Sequence, residues 1–216
     1  MAIFSTILDL IFPTYCLSCH KRGFDICIDC LSLARGAQRE SESWIFPIFD
    51  YRDKTIKKAI HLLKYKHKKN VAKVMAEHML PRILEELGDR KLMENFIDPI
   101  LIPIPLAGKR KRERGFNQAE LLCIEIIGLD TKNNLKTLKN VLLKPKDTVH
   151  QAHIKERSAR LKNLKGSFVV RDPLLVKGRN IILIDDVTTT GATLSEARKT
   201  LKEAGARKVI AFTVAH

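Results

Sequence analysis

The chain has 216 residues, 45% of them hydrophobic, enough for one substantial domain plus a small appendage and too apolar for wholesale disorder. Its 39 Lys and Arg against 24 Asp and Glu give a formal charge of +15, which points to a polyanionic partner, either nucleic acid or a phosphorylated ligand. No stretch has the length and freedom from charge of a transmembrane helix.

The apolar start, with Ile3, Phe4, Ile7, Leu8, Leu10 and Ile11, fits a short amphipathic segment docked on the main domain. It carries Asp9 and lacks the basic face of a membrane-surface helix and the basic n-region of a signal peptide. The expected location is therefore the cytoplasm, with the inner face of the cytoplasmic membrane as the alternative. Cys16-Leu17-Ser18-Cys19 and Cys27-Ile28-Asp29-Cys30 follow, joined by seven residues that include Gly23. Each C-x-x-C can turn both sulfurs toward one ion, so Cys16, Cys19, Cys27 and Cys30 are read as a closed, structural Zn²⁺ site. Such a site folds a segment too small to bury a core of its own and leaves no open position for catalysis. Residues 32–43 are small and polar and read as a linker, dividing the chain into an N-terminal module (1–43) and a main domain (44–216).

The main domain opens with an aromatic, apolar strand over 44–51, then a helix over 53–66 with Ile56, Ala59, Ile60 and Leu63 on one face. A second helix starts near Asn70, and Pro81 is expected to interrupt it. Lys54, Lys57, Lys58, Lys64, Lys66, Lys68, Lys69 and Lys73 make this region a basic band, which is either a solvated face or a nucleic-acid contact. Residues 99–106 form a buried strand ending in a proline-stiffened turn of Pro103, Ile104, Pro105 and Leu106. Lys109, Arg110, Lys111, Arg112 and Arg114 then form a cationic loop able to neutralise a diphosphate. Arg114-Gly115-Phe116-Asn117-Gln118 opens the next helix, with Asn117 placed to cap it and Cys123 as a core thiol. A short strand at 141–144 leads into a basic, irregular stretch in which His150 and His153 are surface histidines or candidate acid–base groups.

The most informative stretch is 180–193, Asn-Ile-Ile-Leu-Ile-Asp-Asp-Val-Thr-Thr-Thr-Gly-Ala-Thr. Ile181 to Ile184 lack polar alternation, as in a central parallel strand covered on both faces. Asp185 and Asp186 stand at its carboxyl end, where open α/β sheets bind ligands. Thr188, Thr189, Thr190, Gly191, Ala192 and Thr193 form a hydroxyl-rich turn into a helix, a cradle for a phosphate. Carboxylates repel phosphate, so the acids are read as partners of a sugar diol or of Mg²⁺. Phosphate beside diol describes a ribose 5-phosphate. The bland alternative is a helix cap and a filled turn. The metal strand of a P-loop ATPase is discarded, because no G-x-x-x-x-G-K-[ST] accompanies it. A final strand runs over 208–214.

On these residues, 182–193 closely resembles the phosphoribosyl-pyrophosphate (PRPP) motif of type I phosphoribosyltransferases. Residues 114–118 resemble an R-G-F-N-Q signature, and Gln151, Arg160, Asn163, Gly166 and Phe168 a Q…R…N…G-x-F pattern. With the four cysteines, the whole chain resembles the ComF family of competence proteins. The resemblance implies an α/β fold with an open parallel sheet, helices on both faces and a small Cys₄ zinc module. It implies PRPP held with Mg²⁺ by Asp185, Asp186, the turn 188–193 and Pro103 to Leu106, with Arg114 beside the leaving pyrophosphate. It also implies handling of single-stranded DNA during DNA uptake beside a helicase partner. Lys64, Lys109, Arg110, Arg112 and Arg160 are then candidate strand contacts, and Trp44, Tyr65 and Phe116 candidate stacking platforms. The alternative is a metabolic transferase that moves phosphoribose from PRPP to a base or other small acceptor.

Overall fold

The computed structural model describes residues 13–38, 42–132, 134–145 and 166–216. The N-terminal apolar segment and the stretch holding His150, Gln151, His153, Arg160 and Asn163 lie outside the described residues. The elements are α1 (Ile28–Ser32), β1 (Ile45–Phe49), α2 (Lys54–Tyr65), α3 (Asn70–Glu94), β2 (Ile100–Pro103), α4 (Gly108–Arg114), α5 (Gln118–Leu129), β3 (Lys136–Thr137), β4 (Leu142–Leu143), β5 (Val169–Val170), β6 (Asn180–Val187), α6 (Ala192–Glu203) and β7 (Lys208–Ala215).

Five strands pair in the order β1-β7-β6-β2-β3, every pair parallel. β6 is central, and Ile181 to Ile184 are fully buried, as the unbroken apolar run requires. From β2 the chain crosses over to β3 on one side, and from β6 to β7 on the other. Right-handed crossovers in opposite directions put α5 and α6 on opposite faces of the sheet. The crevice where the strand order reverses therefore lies at the carboxyl ends of β2 and β6. β4 and β5 form a separate antiparallel pair.

Three local expectations need correction. Pro81 lies inside α3, which runs unbroken from Asn70 to Glu94. Proline inside a helix costs about 3 kcal/mol, but Met75, Ala76, Met79 and Ile83 are fully buried on either side of it. Burying large apolar chains is worth about 1.5–3 kcal/mol each, so packing holds the helix through the proline. The cationic stretch after Pro105 is the helix α4 rather than a loop, consistent with the good helix propensity of Lys and Arg. Gly115, at φ 70°, ends it. Trp44 is only 6% exposed and the Arg198 guanidinium lies 4.4 Å from its ring centroid, so it offers no face to a base.

The stretch expected as a linker is tied to the sheet edge. Ala37 N–H donates to Ile48 O and Asp50 N–H to Arg35 O, at 3.1 and 2.9 Å. Asp53 caps α2 by accepting from Thr55 and Ile56 N–H, and burial is outweighed by these donors and by Arg35 N–H, which hold its carboxyl below the usual range.

Candidate functional site: an acid pair and a phosphate-sized turn

Asp185 and Asp186 occupy the last turns of β6 before the chain leaves the sheet. Ile184 pairs with Pro103, and Ile104 N–H donates to Ile184 O at 2.9 Å, so the turn after β2 is fixed beside the acids. Asn117 completes the brace. Its Nδ2 donates to Ile104 O at 3.0 Å, while its Oδ1 caps α5 by accepting from Ala119 N–H at 3.1 Å. The R-G-F-N-Q stretch thus locks the Pro103–Leu106 turn in place through a buried asparagine.

The turn after the acids is anchored by Thr188 N–H donating to Ala215 O at 2.9 Å. Gly191 caps α6 at φ 72°, a left-handed conformation that favours glycine. A Cβ there would also come within 3.2 Å of Ile45 Cδ1. Gly191 has no side chain with which to cap α6; Ala192 N–H makes a long contact of 3.5 Å to Thr190 Oγ1, and the positive end of the helix dipole lies at this turn.

The two acids differ. Asp186 is buried and its Oδ1 pairs with Lys64 Nζ at 3.0 Å, with side-chain exposures of 18% for the lysine and 10% for the aspartate. Asp185 Oδ1 accepts the Asp186 N–H at 2.9 Å. Burial, and then the charge of Asp186, push the Asp185 carboxyl up to about 7, against smaller opposing contributions from its hydrogen bond, Lys64 and Lys144. Burial and the neighbouring carboxylate thus leave Asp185 short of donors, and hard carboxylate oxygens in that state suit a sugar diol and fit Mg²⁺.

Beside Lys64 lies a recess of about 150 Å³ lined by Lys64, Tyr65, His67, Arg110, Glu113 and Arg114. Arg114 Nη1 donates to Gln118 Oε1 at 3.0 Å, and its guanidinium lies 5.2 Å from the Tyr65 ring centroid. Gln118 Nε2 is buried without a partner among the described residues. Lys69 Nζ lies 5.3 Å from the Phe116 ring centroid. Tyr65 is 57% exposed, far more than Trp44, and carries the His61 ring tilted against it at 5.1 Å between centroids. Lys109 and Arg112 are on the same short helix, α4.

The four cysteine ligand atoms lie within 4.8 Å of one another, and Cys19 Sγ is 3.6 Å from Cys27 Sγ. Four sulfurs about 2.3 Å from a tetrahedral Zn²⁺ stand about 3.8 Å apart, so the residues fit the ion. Burial pushes the Cys16 thiol up, but backbone donors from Cys19, Ser18 and Cys27 outweigh it and bring it to about 6. Cys30 behaves oppositely. A hydrogen bond from Ser18 lowers it, but the neighbouring Cys19 and Cys27 sulfurs push it up to about 12. Four thiolates at one point need a dication, as a structural zinc site supplies. Cys16, Ile26, Cys27 and Leu31 belong to the same contiguous core as the sheet. Lys68 Nζ pairs with Asp25 Oδ1 at 3.0 Å, and Ser32 Oγ lies 3.0 Å from His78 Nε2, so the module touches the loop after α2 and the face of α3. Cys123 is buried, with its thiol raised by desolvation, as a core residue should be.

Lys64 was legible as a basic residue but not as the partner of Asp186. Nothing in the local pattern of α2 announces an acid so far along the chain.

Residues 133–216 match the family described as the phosphoribosyl transferase domain. The chain is 31% identical over 150 residues to the DNA utilization protein YhgH of Escherichia coli, covering 69% of this chain and 62% of that protein. It is 39% identical over 116 residues to the competence protein ComFC of Bacillus subtilis, covering 53% of this chain and 43% of that one. It is 36% identical over 112 residues to competence protein F of Haemophilus influenzae, covering 50% and 46%. The chain thus spans less than two thirds of the length of these relatives. The chain is thus similar to relatives named for competence and DNA utilization, and it joins a match to the phosphoribosyl transferase domain, on a parallel α/β sheet, to a four-cysteine cluster able to hold zinc.

Proposed function

We propose that this protein handles single-stranded DNA during DNA uptake and binds PRPP, with Mg²⁺, in the crevice between β2 and β6. The observation that carries the reading is the meeting, at one switch point, of the acid pair, the Gly191 turn into α6 and the braced turn after β2. In this reading N–H groups of 189–193 and the Thr190 and Thr193 hydroxyls hold the 5-phosphate. Asp185 and Asp186 accept from the ribose diol, and the Pro103–Leu106 turn with Arg114 receives the pyrophosphate. Mg²⁺ would neutralise part of the diphosphate charge. The relatives' printed names, competence protein and DNA utilization protein, and the +15 charge support the DNA half of the reading.

Calorimetric titration with PRPP and Mg²⁺ tests the first half. One site per chain is expected, weakened at least about 100-fold in Asp185→Ala/Asp186→Ala, because two charge-assisted hydrogen-bond acceptors are worth about 3 kcal/mol or more. Pyrophosphate release in the presence of candidate acceptors would extend the reading from binding to transfer. Single-strand affinity should fall steeply between roughly 50 and 500 mM salt, as phosphate neutralisation demands. Salt-independent affinity would remove the DNA half.

A further inference from the structure

Lys64 stands between two environments. On one side its ammonium is 3.0 Å from Asp186 Oδ1. On the other it lines the recess with Tyr65, Arg110 and Arg114. It sits in the last turn of α2, whose buried face of Ile56, Ala59, Ile60 and Leu63 fixes the helix against the core. The backbone is therefore held, and the side chain's own rotamers decide which way the charge points. In the free protein the pairing is dictated by need: Asp186 is buried, and an unpaired buried carboxylate is costly.

Ligand at the acid pair changes that balance. A diol donates hydrogen bonds to the same oxygens, and a divalent cation neutralises them more strongly than one ammonium does. Lys64 then loses its partner beside a recess lined also by Arg110 and Arg114 against the one carboxylate of Glu113, so that a released Lys64 makes three cations to one acid and favours an anion there. The recess is walled by the half-exposed residue Tyr65, and Phe116 follows two residues after the Arg114 anchor. Cations flanking an aromatic face suit the phosphate and base of a single strand rather than a compact free anion.

Resting on the function proposed above, we infer that Lys64 is a cation shared between the acid pair and a single-strand phosphate subsite in the Lys64–Tyr65–Arg110–Arg114 recess, so that PRPP with Mg²⁺ and single-stranded DNA bind with positive coupling. By linkage each ligand must tighten the other by the same factor. A strand phosphate drawing Lys64 into the recess uncovers Asp186, and a ligand on Asp186 releases Lys64 to the strand.

The test is reciprocal. Anisotropy of a labelled oligodeoxythymidylate of about 20 nucleotides, long enough for one such site, is measured with and without saturating PRPP at fixed free Mg²⁺. Calorimetry of PRPP and Mg²⁺ is measured with and without the oligonucleotide. Each affinity should rise about fivefold or more when the other ligand is present, the lower end of ordinary coupling. In Lys64→Met the factor should fall to about one, with the strand bound more weakly and PRPP at least as tightly, because its competitor for Asp186 is gone. Asp186→Asn supplies a second arm. It frees Lys64 without ligand, so the strand should bind as tightly as it does to the wild type with PRPP present. A wild-type circular dichroism spectrum and a single cooperative melt above the assay temperature confirm that both variants are folded, the Lys64→Met melt being expected lower because Asp186 loses its partner. If PRPP and the strand both bind the wild type and the factor is one or below, the shared cation is wrong while the proposed function stands. If neither variant alters a positive factor, the coupling runs through other groups and the inference also fails. If PRPP does not bind the wild type, both readings fall together.

Discussion

The cysteine cluster and the acid crevice solve similar problems by different means. Each gathers like charges that need a cation. In the cluster all four ligands come from two C-x-x-C units, and turns place them within 4.8 Å of one another. In the crevice the charges come from β6, their neutraliser Lys64 from α2, and the floor from the turn after β2. The first arrangement is local, so removing its ion removes the reason for its fold. The second is held by the sheet, so its fold should survive without ligand and keep the buried acid pair ready for binding.

That contrast orders the expected effects. The largest is at the cluster. Chelation, or Cys27→Ser, strips a site whose metal binding in small thiolate modules is worth on the order of 10 kcal/mol, and Cys16, Ile26, Cys27 and Leu31 are part of the main core. Thermal melting with metal analysis should show loss of bound zinc together with a large fall or splitting of the transition. An unchanged melt in a metal-free protein would mean that the module is held by packing alone.

The second effect is of opposite sign and lies in the crevice. Asp185 has its folded value raised from 3.8 to about 7. Between those values the folded protein keeps a proton that the unfolded chain has released, so ligand-free stability falls as pH rises through that window. Above about 7 the full cost of the buried charge is present. Asp185→Asn keeps an oxygen for the Asp186 N–H and removes that charge. It should raise the melting temperature of the ligand-free protein by a few degrees at pH 8, with the gain gone near pH 4, while PRPP binding weakens. A variant that melts lower at pH 8 would show that the carboxylate is stabilising, contrary to this account.

The smallest effect is a control on the comparison. Lys21 and Asp29 pair at 3.5 Å next to the cysteines, with side chains 58% and 70% exposed. Lys21→Ala should change stability by less than about 0.5 kcal/mol in denaturant titrations. A larger loss would make the cluster's surroundings, rather than its ion, the source of its stability.

The same contrast explains what the sequence revealed. The cysteine spacing, the central strand, the acid pair and the Gly191 turn are contiguous patterns, and each could be read residue by residue. Asn117 was legible as a cap, but its second bond, to Ile104 O, depends on β2 meeting the start of α5. The Lys64–Asp186 pair was invisible because two distant elements create it. Pro81 misled because a local rule was overridden by burial on both sides of the proline. Trp44 misled for the converse reason. As an aromatic residue in a basic chain it was a candidate stacking platform, but it packs beneath Arg198 and donates to Glu42 Oε2 at 2.7 Å. Local order was readable wherever one stretch of chain satisfies itself, and lost wherever two stretches satisfy each other.

A crystal soaked with PRPP and Mg²⁺ tests the central claim most directly. The 5-phosphate is expected against the N–H groups of 189–193, the ribose hydroxyls on Asp185 and Asp186, and Lys64 swung away from Asp186. A PRPP molecule bound elsewhere, with the Lys64–Asp186 pair intact and the turn unfilled, would contradict it.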